Sequence, residues 1–499
     1  MMDSKRVGLL VVAIAAAIAV LGDLLLRGVP WGANVTLFSL VLLAVMVLSA
    51  TWSGCGLVGG WGWLLGVLIP LSFCFLWRDS LALLTLNVVA MTGGLALVYS
   101  RTPRGDLRVA GIVDVFHALL VTAVHASAGV IFLIRNDVEW RSWQGVKSSA
   151  RFIPTLRGVL LAVPISLLFL ALLMSADAAF ETMVRKVFDI DIAVLVEHSL
   201  VIGFLGWIVA GFLRGRLIAR EVVVSQTSGR LIPFLGIQET GIVLGAINVI
   251  FLTFILVQFE YLFGGSAFVK ETTGVTFAEY ARRGFFELVA VAGLSMLLLL
   301  TADWALNKEK RKSVIVFRTL AGAQVLLVLA VMVSAIHRLV LYKAEFGLTE
   351  ARVYAMGCLI WLLLVFIWFG WTVLRGRRER FAFGALIGAY GILLALNAVN
   401  PDRVIAAVNI ARAGEGKHFD AHYAASLSGD ALPLLVDELP RLFPADRSVI
   451  ARRLIQRFAG SQPFDLRSWN IARHEAIQAF IAHQRELREA AVNLVEGPR

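Results

Sequence analysis

Residues 353–374 read VYAMGCLIWLLLVFIWFGWTVL, twenty-two positions without one charged side chain. At about 1.5 Å per residue a helix of that length covers about 33 Å, enough to cross the roughly 30 Å hydrocarbon layer of a bilayer. Lipid offers no water to satisfy backbone N–H and C=O groups, so such a segment has to bond within itself. Comparable runs fall near 7–26, 34–51, 58–77, 81–99, 158–176, 192–213, 239–262, 285–303, 314–341 and 381–399. They are too long and too evenly apolar for barrel strands. The expected fold is therefore all-α, a polytopic helical transmembrane bundle of about eleven spans.

Composition agrees. The chain has 499 residues, 59% hydrophobic and 16% charged, with a mean hydropathy of +0.80. A water-soluble protein of that make-up would expose large apolar patches and aggregate. The net charge of +11 sits mostly in short loops between apolar runs. Membrane lipids and their anionic headgroups account for it, and no nucleic acid is expected. Cys55, Cys74 and Cys358 lie in or beside apolar runs and suggest neither a metal site nor a disulfide framework. Lys5 and Arg6 precede the first run as in a signal peptide. No small-x-small cleavage site follows, so a retained span is expected.

One further run, 109–134, is apolar but carries Asp114, His117 and His125. If it crosses, there are twelve spans, and Arg135, Arg141, Lys147, Arg151 and Arg157 fall outside. If it lies in the interface or re-enters, they stay inside with Arg101, Arg104 and Arg108. The later basic clusters then alternate correctly: Arg214 to Arg230, Lys308 to Lys312 and Arg375 to Arg380. The positive-inside rule favours eleven spans in a bacterial inner membrane, with a cytoplasmic N-terminus and an outer C-terminal tail. Glycines 56, 60, 62 and 66 give small-xxx-small spacing for close helix packing. Trp31, Trp61, Trp63 and Trp77 suit the interfacial belts.

From Asn400 onward the apolar runs shorten, charges of both signs appear and Pro433, Pro440, Pro444 and Pro463 punctuate the chain. Segments near 446–459 and 467–490 have helical periodicity. The expected division is a four-span segment over 1–100, a basic cytoplasmic or interfacial segment over 101–157, a seven-span core over 158–399 and a small soluble α-helical domain over 400–499.

Three stretches carry a family resemblance. The first runs from Arg157-Gly-Val-Leu-Leu through Met174-Ser-Ala-Asp-Ala-Ala-Phe180 to Phe188-Asp-Ile-Asp191. The second joins Tyr261-Leu-Phe-Gly-Gly265 to Thr276-Phe-Ala-Glu-Tyr-Ala-Arg-Arg-Gly-Phe-Phe-Glu-Leu288. The third is Tyr342 to Tyr354, with Phe346-Gly-Leu-Thr-Glu-Ala-Arg352, followed by Arg380-Phe-Ala-Phe-Gly384 and Asn400-Pro-Asp402. Over roughly 155–430 the chain resembles the bacterial integral-membrane family called domain of unknown function 4173, and its relative 4153. The resemblance implies an inner-membrane protein and brings no catalytic residues with it.

Ionisable residues in membrane segments are costly and mark candidate sites. In the eleven-span order they gather at outer helix ends: Glu260, Glu279, Tyr280, Arg282, Arg283, Glu287, His337, Arg338, Tyr342, Glu345 and Arg352, with Glu350, Tyr354, Asn397 and Asn400 nearby. Glu279, Arg283 and Glu287 share a helix face as an acid–base–acid ladder. Adjacent arginines suit a phosphate or carboxylate, so an anionic lipid or lipid-linked ligand is the expected occupant. The bland alternative is a set of ion pairs locking the bundle. Asp189-Ile-Asp191 is a DxD, more often solvated acids than a metal site. His418 and His422, and likewise His474 and His483, complete no metal motif, so neither a metal nor a cofactor is expected. No P-loop, dinucleotide fingerprint or nucleophile elbow occurs. A binding, sensing or scaffolding accessory protein of the envelope is the leading function, with an envelope partner engaged through 400–499. A proton-coupled transporter or flippase and an enzyme acting on a lipid-linked substrate are the alternatives. A reporter fused after residue 499 is expected to work only if it requires export; cytoplasmic activity there would overturn the eleven-span order.

Overall fold

The computed structural model describes residues 4–52, 61–99, 107–138, 192–218, 235–263, 285–308, 310–459 and 465–492, with scattered positions between 158 and 176. Among them the chain is helical, with one isolated bridge, Leu235 to Leu306, in place of any sheet. Eleven helices build the membrane part: α1 (Ser4–Leu26), α2 (Ala33–Trp52), α3 (Trp61–Trp77), α4 (Leu81–Tyr99), α5 (Ile112–Phe132), α6 (Ile192–Leu217), α7 (Ile237–Phe263), α8 (Phe285–Ala305), α9 (Arg311–Phe346), α10 (Glu350–Thr372) and α11 (Phe381–Val399). Ten are long and apolar enough to cross a membrane, and α3 contains a shorter apolar helix, Gly62–Trp77. Large apolar side chains such as Ile242, Leu256 and Leu326 stay exposed on the bundle's flanks. Lipid is the medium that accepts such a surface.

Apolar layers hold the bundle. Leu244, Leu299, Val328, Phe366 and Phe369 pack where α7, α8, α9 and α10 meet. Leu64, Leu68, Leu71 and Phe75 centre a second layer with α2, α4, α5 and α11. A third joins α1, α5 and α6 through Val11, Ala15, Leu133 and Leu213. Polar side chains add bonds between spans, among them Tyr390 to the Ala90 carbonyl and Asn248 to the Leu320 carbonyl. Asn87 and Asn397 exchange amide hydrogen bonds of 3.0 and 2.9 Å between α4 and α11. Gln258 of α7 accepts from Ser334 of α9.

Contacts fix the direction of each helix. Trp469 of the tail accepts from Ala33 N–H, and Arg467 donates to the Leu24 carbonyl, so α1 ends and α2 begins at the tail's side. Arg27 bonds Glu197 there, while Arg214 bonds Asp137 at the far side; α6 therefore runs away from the tail. Helix α4 does the same, since Tyr99 at its end accepts from Arg216. An odd number of crossings must separate two helices that run the same way. Helix α5 does not supply it. A 3₁₀ turn just before it, Leu107–Val109, abuts Arg378–Arg380 at the far end. Just beyond its C-terminus, the Asp137 carboxylate accepts from Arg214 at 2.5 Å and the Asp137 carbonyl lies against Gly8. Both ends of α5 lie on the side opposite the tail, so it stays in that half of the bundle. Most of the expected run 158–176 lies outside the described residues.

Among the described residues, 400–459 and 465–492 fold on the tail side into six short α-helices: α12 (Pro401–Gly414), α13 (Ala421–Ser426), α14 (Leu432–Asp437), α15 (Pro444–Phe458), α16 (Ile471–Ala482) and α17 (Gln484–Val492). They have their own core of Ile405, Ile410, Leu432, Leu435, Ile450, Leu454 and Leu487. The turn from α11 into α12 is made by Asn400, whose φ of 60° and ψ of 78° are left-handed. Asparagine tolerates that conformation better than other side chains with a Cβ. Its Oδ1 accepts from Arg403 N–H at 3.2 Å, and Pro401 sits at the first helical position, where no N–H is needed. The membrane helix thus turns sharply into the tail.

Helices α5 and α6 approach backbone to backbone at Gly129 and Gly211. A Cβ on Gly211 would strike the His125 and Ala126 carbonyls, whereas Gly203 on the same helix faces open space. Gly211→Ala is expected to destabilise the protein by about 1–3 kcal/mol, and Gly203→Ala to leave it unharmed. Thermal unfolding in detergent, read against wild type, checks both.

Candidate functional site

The expected outer cluster is only partly visible. Glu279, Tyr280, Arg282 and Arg283 lie outside the described residues, as does Asp189-Ile-Asp191. Glu260, Tyr342 and Glu345 fall in the tail-side turns of α7 and α9, and their side chains lie outside the described part. Glu287 is exposed in the first turn of α8. His337 is exposed, and Arg338 beside it is buried. Arg352 is half-buried and donates to the Gly347 carbonyl at 2.6 Å. Of the ladder Glu279–Arg283–Glu287, only the last member is therefore placed. On the far side, His125 meets the Tyr99 hydroxyl at 2.8 Å.

A denser polar site lies where the tail meets the bundle. It is organised by helix ends, whose last carbonyls and first N–H groups lack partners within the helix. The three-residue turn Arg78-Asp79-Ser80 joins α3 to α4. Arg78 is buried, with Trp77's ring 4.0 Å from its guanidinium. Its Nε donates to the Asn397 carbonyl at 2.6 Å and its Nη2 to the Ala398 carbonyl at 3.4 Å, a cation capping the C-terminus of α11. Its Nη1 reaches Asp430 of the tail at 3.1 Å, with 8% and 1% of the two side chains exposed.

Asp430 in turn caps α4. Its Oδ2 accepts from the N–H groups of Asp79 at 2.7 Å and Ser80 at 3.2 Å, and from the Ser428 hydroxyl at 3.3 Å. A carboxylate suits the positive end of that helix. Burial pushes the Asp430 carboxyl above the usual carboxylate range, and the Asp79 amide and the Arg78 guanidinium offset part of that push. Asp79 pairs with Arg473 at 2.6 Å and accepts from Gly429 N–H at 3.3 Å. A side chain at 429 would crowd that carboxylate. Asn470 completes the seam, donating to the Phe75 and Arg78 carbonyls at 3.0 and 2.9 Å.

Beside this clamp two carboxyls face each other. Glu350 opens α10, and Asp402 is the second residue of α12; their side chains are within hydrogen-bonding reach of each other. Asp402 is fully buried. Its Oδ2 accepts from Ser428 N–H at 3.2 Å, while among the described residues its Oδ1 has no donor. The Glu350 N–H donates to the Tyr423 hydroxyl at 2.9 Å, and the Tyr354 and Ser80 hydroxyls are 3.4 Å apart. Burial pushes the Tyr423 hydroxyl up, and the nearby carboxyls of Glu350 and Asp402 push the same way.

Such an arrangement belongs to a multi-pass helical membrane protein whose extramembranous domain is seated on one mouth of its bundle. The chain belongs to the family described as Domain of unknown function (DUF4153), which it matches over residues 65–438. The match is to 4153, the relative of the 4173 family in the expected resemblance. It begins within α3, ahead of the stretches quoted above, and ends just beyond α14. No curated protein and no solved structure matches the chain.

Sequence reasoning overlooked Arg78, Asp79 and Asp430 as a unit. The available signal was an arginine in a three-residue turn between two apolar runs. Arg78→Ala is expected to destabilise tail docking by about 3–5 kcal/mol, because it strands Asp430 as a buried charge. Asp430→Asn, which keeps part of the cap, should cost less. Limited proteolysis of the purified full chain should release the tail of Arg78→Ala far faster than that of wild type.

Proposed function

We propose that this is a binding or sensing protein of the bacterial cell envelope that holds its helical domain as a fixed platform on the outer face of the inner membrane. The observation that carries this reading is the Arg78–Asp430 clamp. A buried ion pair supported by four backbone bonds gives the tail one orientation on the bundle, where a tethered domain would need none. Charge supports this orientation. Arg214, Arg216, Lys308, Lys310, Arg311, Lys312, Arg375, Arg377, Arg378 and Arg380 all belong to the end opposite the tail, as expected for the cytoplasmic side.

The platform presents exposed apolar side chains at Phe443, Ile481 and Val492, suited to an envelope protein partner. Arg282 and Arg283, which come just ahead of α8 in the sequence, are the donors we assign to an anionic lipid headgroup or lipid-linked ligand. The chemistry required is recognition. Photo-cross-linking in intact cells, with the probe at 443 or 481 of the full chain, tests it. A discrete adduct with another envelope protein, absent when the probe sits in the 308–312 loop, is expected. Loss of every tail adduct, together with solute flux through the purified protein in vesicles, would replace this reading with transport.

A further inference from the structure

We propose that Glu350 and Asp402 form a proton-binding site at the seam between the membrane bundle and the outer domain, and that the shared proton holds the seam closed. Its use in sensing rests on the platform reading above; the site itself rests on geometry. Asp402 is fully buried, and among the described residues no N–H or O–H donates to its Oδ1. The Glu350 carboxyl lies within hydrogen-bonding reach of the Asp402 side chain. Two acceptors in contact make a bond only if a proton lies between them, and the pair then carries one negative charge in place of two.

Charge balance around the pair points the same way. Arg78 is engaged by Asp430, and Arg473 by Asp79. Arg352, whose charge acts on Tyr423, donates to the Gly347 carbonyl at 2.6 Å. Neither Glu350 nor Asp402 is in an ion pair among the described residues. From the other packed elements, Tyr354, Tyr423 and Asp430 face the pair, and none supplies a positive charge. Two ionised carboxylates here would leave an uncompensated charge on a side chain that water cannot reach.

The site joins elements that must stay together for the tail to be seated. Glu350 opens a membrane helix, and Asp402 belongs to the first helix of the tail. Asp402 also receives the Ser428 amide, next to the turn that presents Asp430 to Arg78. With the proton in place, Glu350 donates to Oδ1 and the seam is satisfied. Without it the carboxylates repel, half-buried Glu350 turns toward water, and the Ser428–Asp430 turn loosens. A closed seam is thus favoured at lower pH and weakened as pH rises.

Hydrogen exchange of the full chain in lipid nanodiscs, followed from about pH 5 to 8 and corrected for intrinsic exchange, tests the proposal. Amides in 401–430 are expected to lose about tenfold protection across that range. Glu350→Gln offers Oδ1 a permanent N–H donor and should keep high protection at every pH. Asp402→Asn, which still accepts from Ser428 and donates to Glu350, should do the same. Protection in wild type that ignores pH overturns the site. So does a Glu350→Gln protein that follows pH as wild type does, since the titrating group would then be another, such as Asp430. Recovery of high-pH protection by added Ca²⁺ and its loss with chelator would make this a metal site and overturn the proton assignment. All of these readouts are independent of whether a partner binds, so the platform reading stands or falls on its own cross-linking test.

Discussion

A guanidinium buried at the mouth of a helical bundle has to be satisfied on every side, and Arg78 is satisfied by three separate parts of the chain. Two carbonyls come from the end of α11, the carboxylate comes from the tail, and the Trp77 ring stacks against it. Removing any partner leaves a charge where water cannot compensate it, so the position of the tail is coupled to the ends of α3, α4 and α11. The pairing is reciprocal. Arg78 covers the negative end of one helix while Asp430 covers the positive end of another. Unfilled helix ends, which cost most near an apolar phase, thereby become the means of attachment.

The membrane part is held differently. Its layers are almost wholly apolar, and packing in lipid depends on fit more than on exclusion of water. Gly129 and Gly211 let α5 and α6 touch backbone to backbone. The Asn87–Asn397 exchange and the Gln258–Ser334 bond set local register where apolar surfaces alone would slide. The clamp and the carboxyl pair lie at the end of the bundle, the one place where charged groups can share burial with helix termini. Arg78 with Asp430 is a compensated pair, and Glu350 with Asp402 a like-charged one. A few residues apart, the first fixes the tail and the second makes its seat conditional.

Much was legible in the sequence. Uninterrupted apolar runs determined the helical spans, because backbone groups in hydrocarbon have no other way to be bonded. The clustering of Lys and Arg in alternate loops gave an expected order of the faces. It also set the run 109–134 apart as an expected non-crossing segment, since a twelfth span would put five basic residues on the side expected to be outer. Asn400-Pro-Asp402 was visible as a motif, and Glu350 and Tyr354 as polar residues at helix ends.

Their partnerships were not legible. Arg78 and Asp430 are separated by some 350 positions, and no periodicity links a residue in a three-residue turn to one in a 3₁₀ turn of a distant domain. The sequence ranked the arginine-rich stretch before α8 highest because local spacing there suggested a helix face. The described structure instead concentrates its buried charge where the tail is seated. Only tertiary structure could decide that, since which helix ends lie side by side depends on how the whole bundle packs, and burial is what turns an ordinary aspartate into a cap or half of a carboxyl pair.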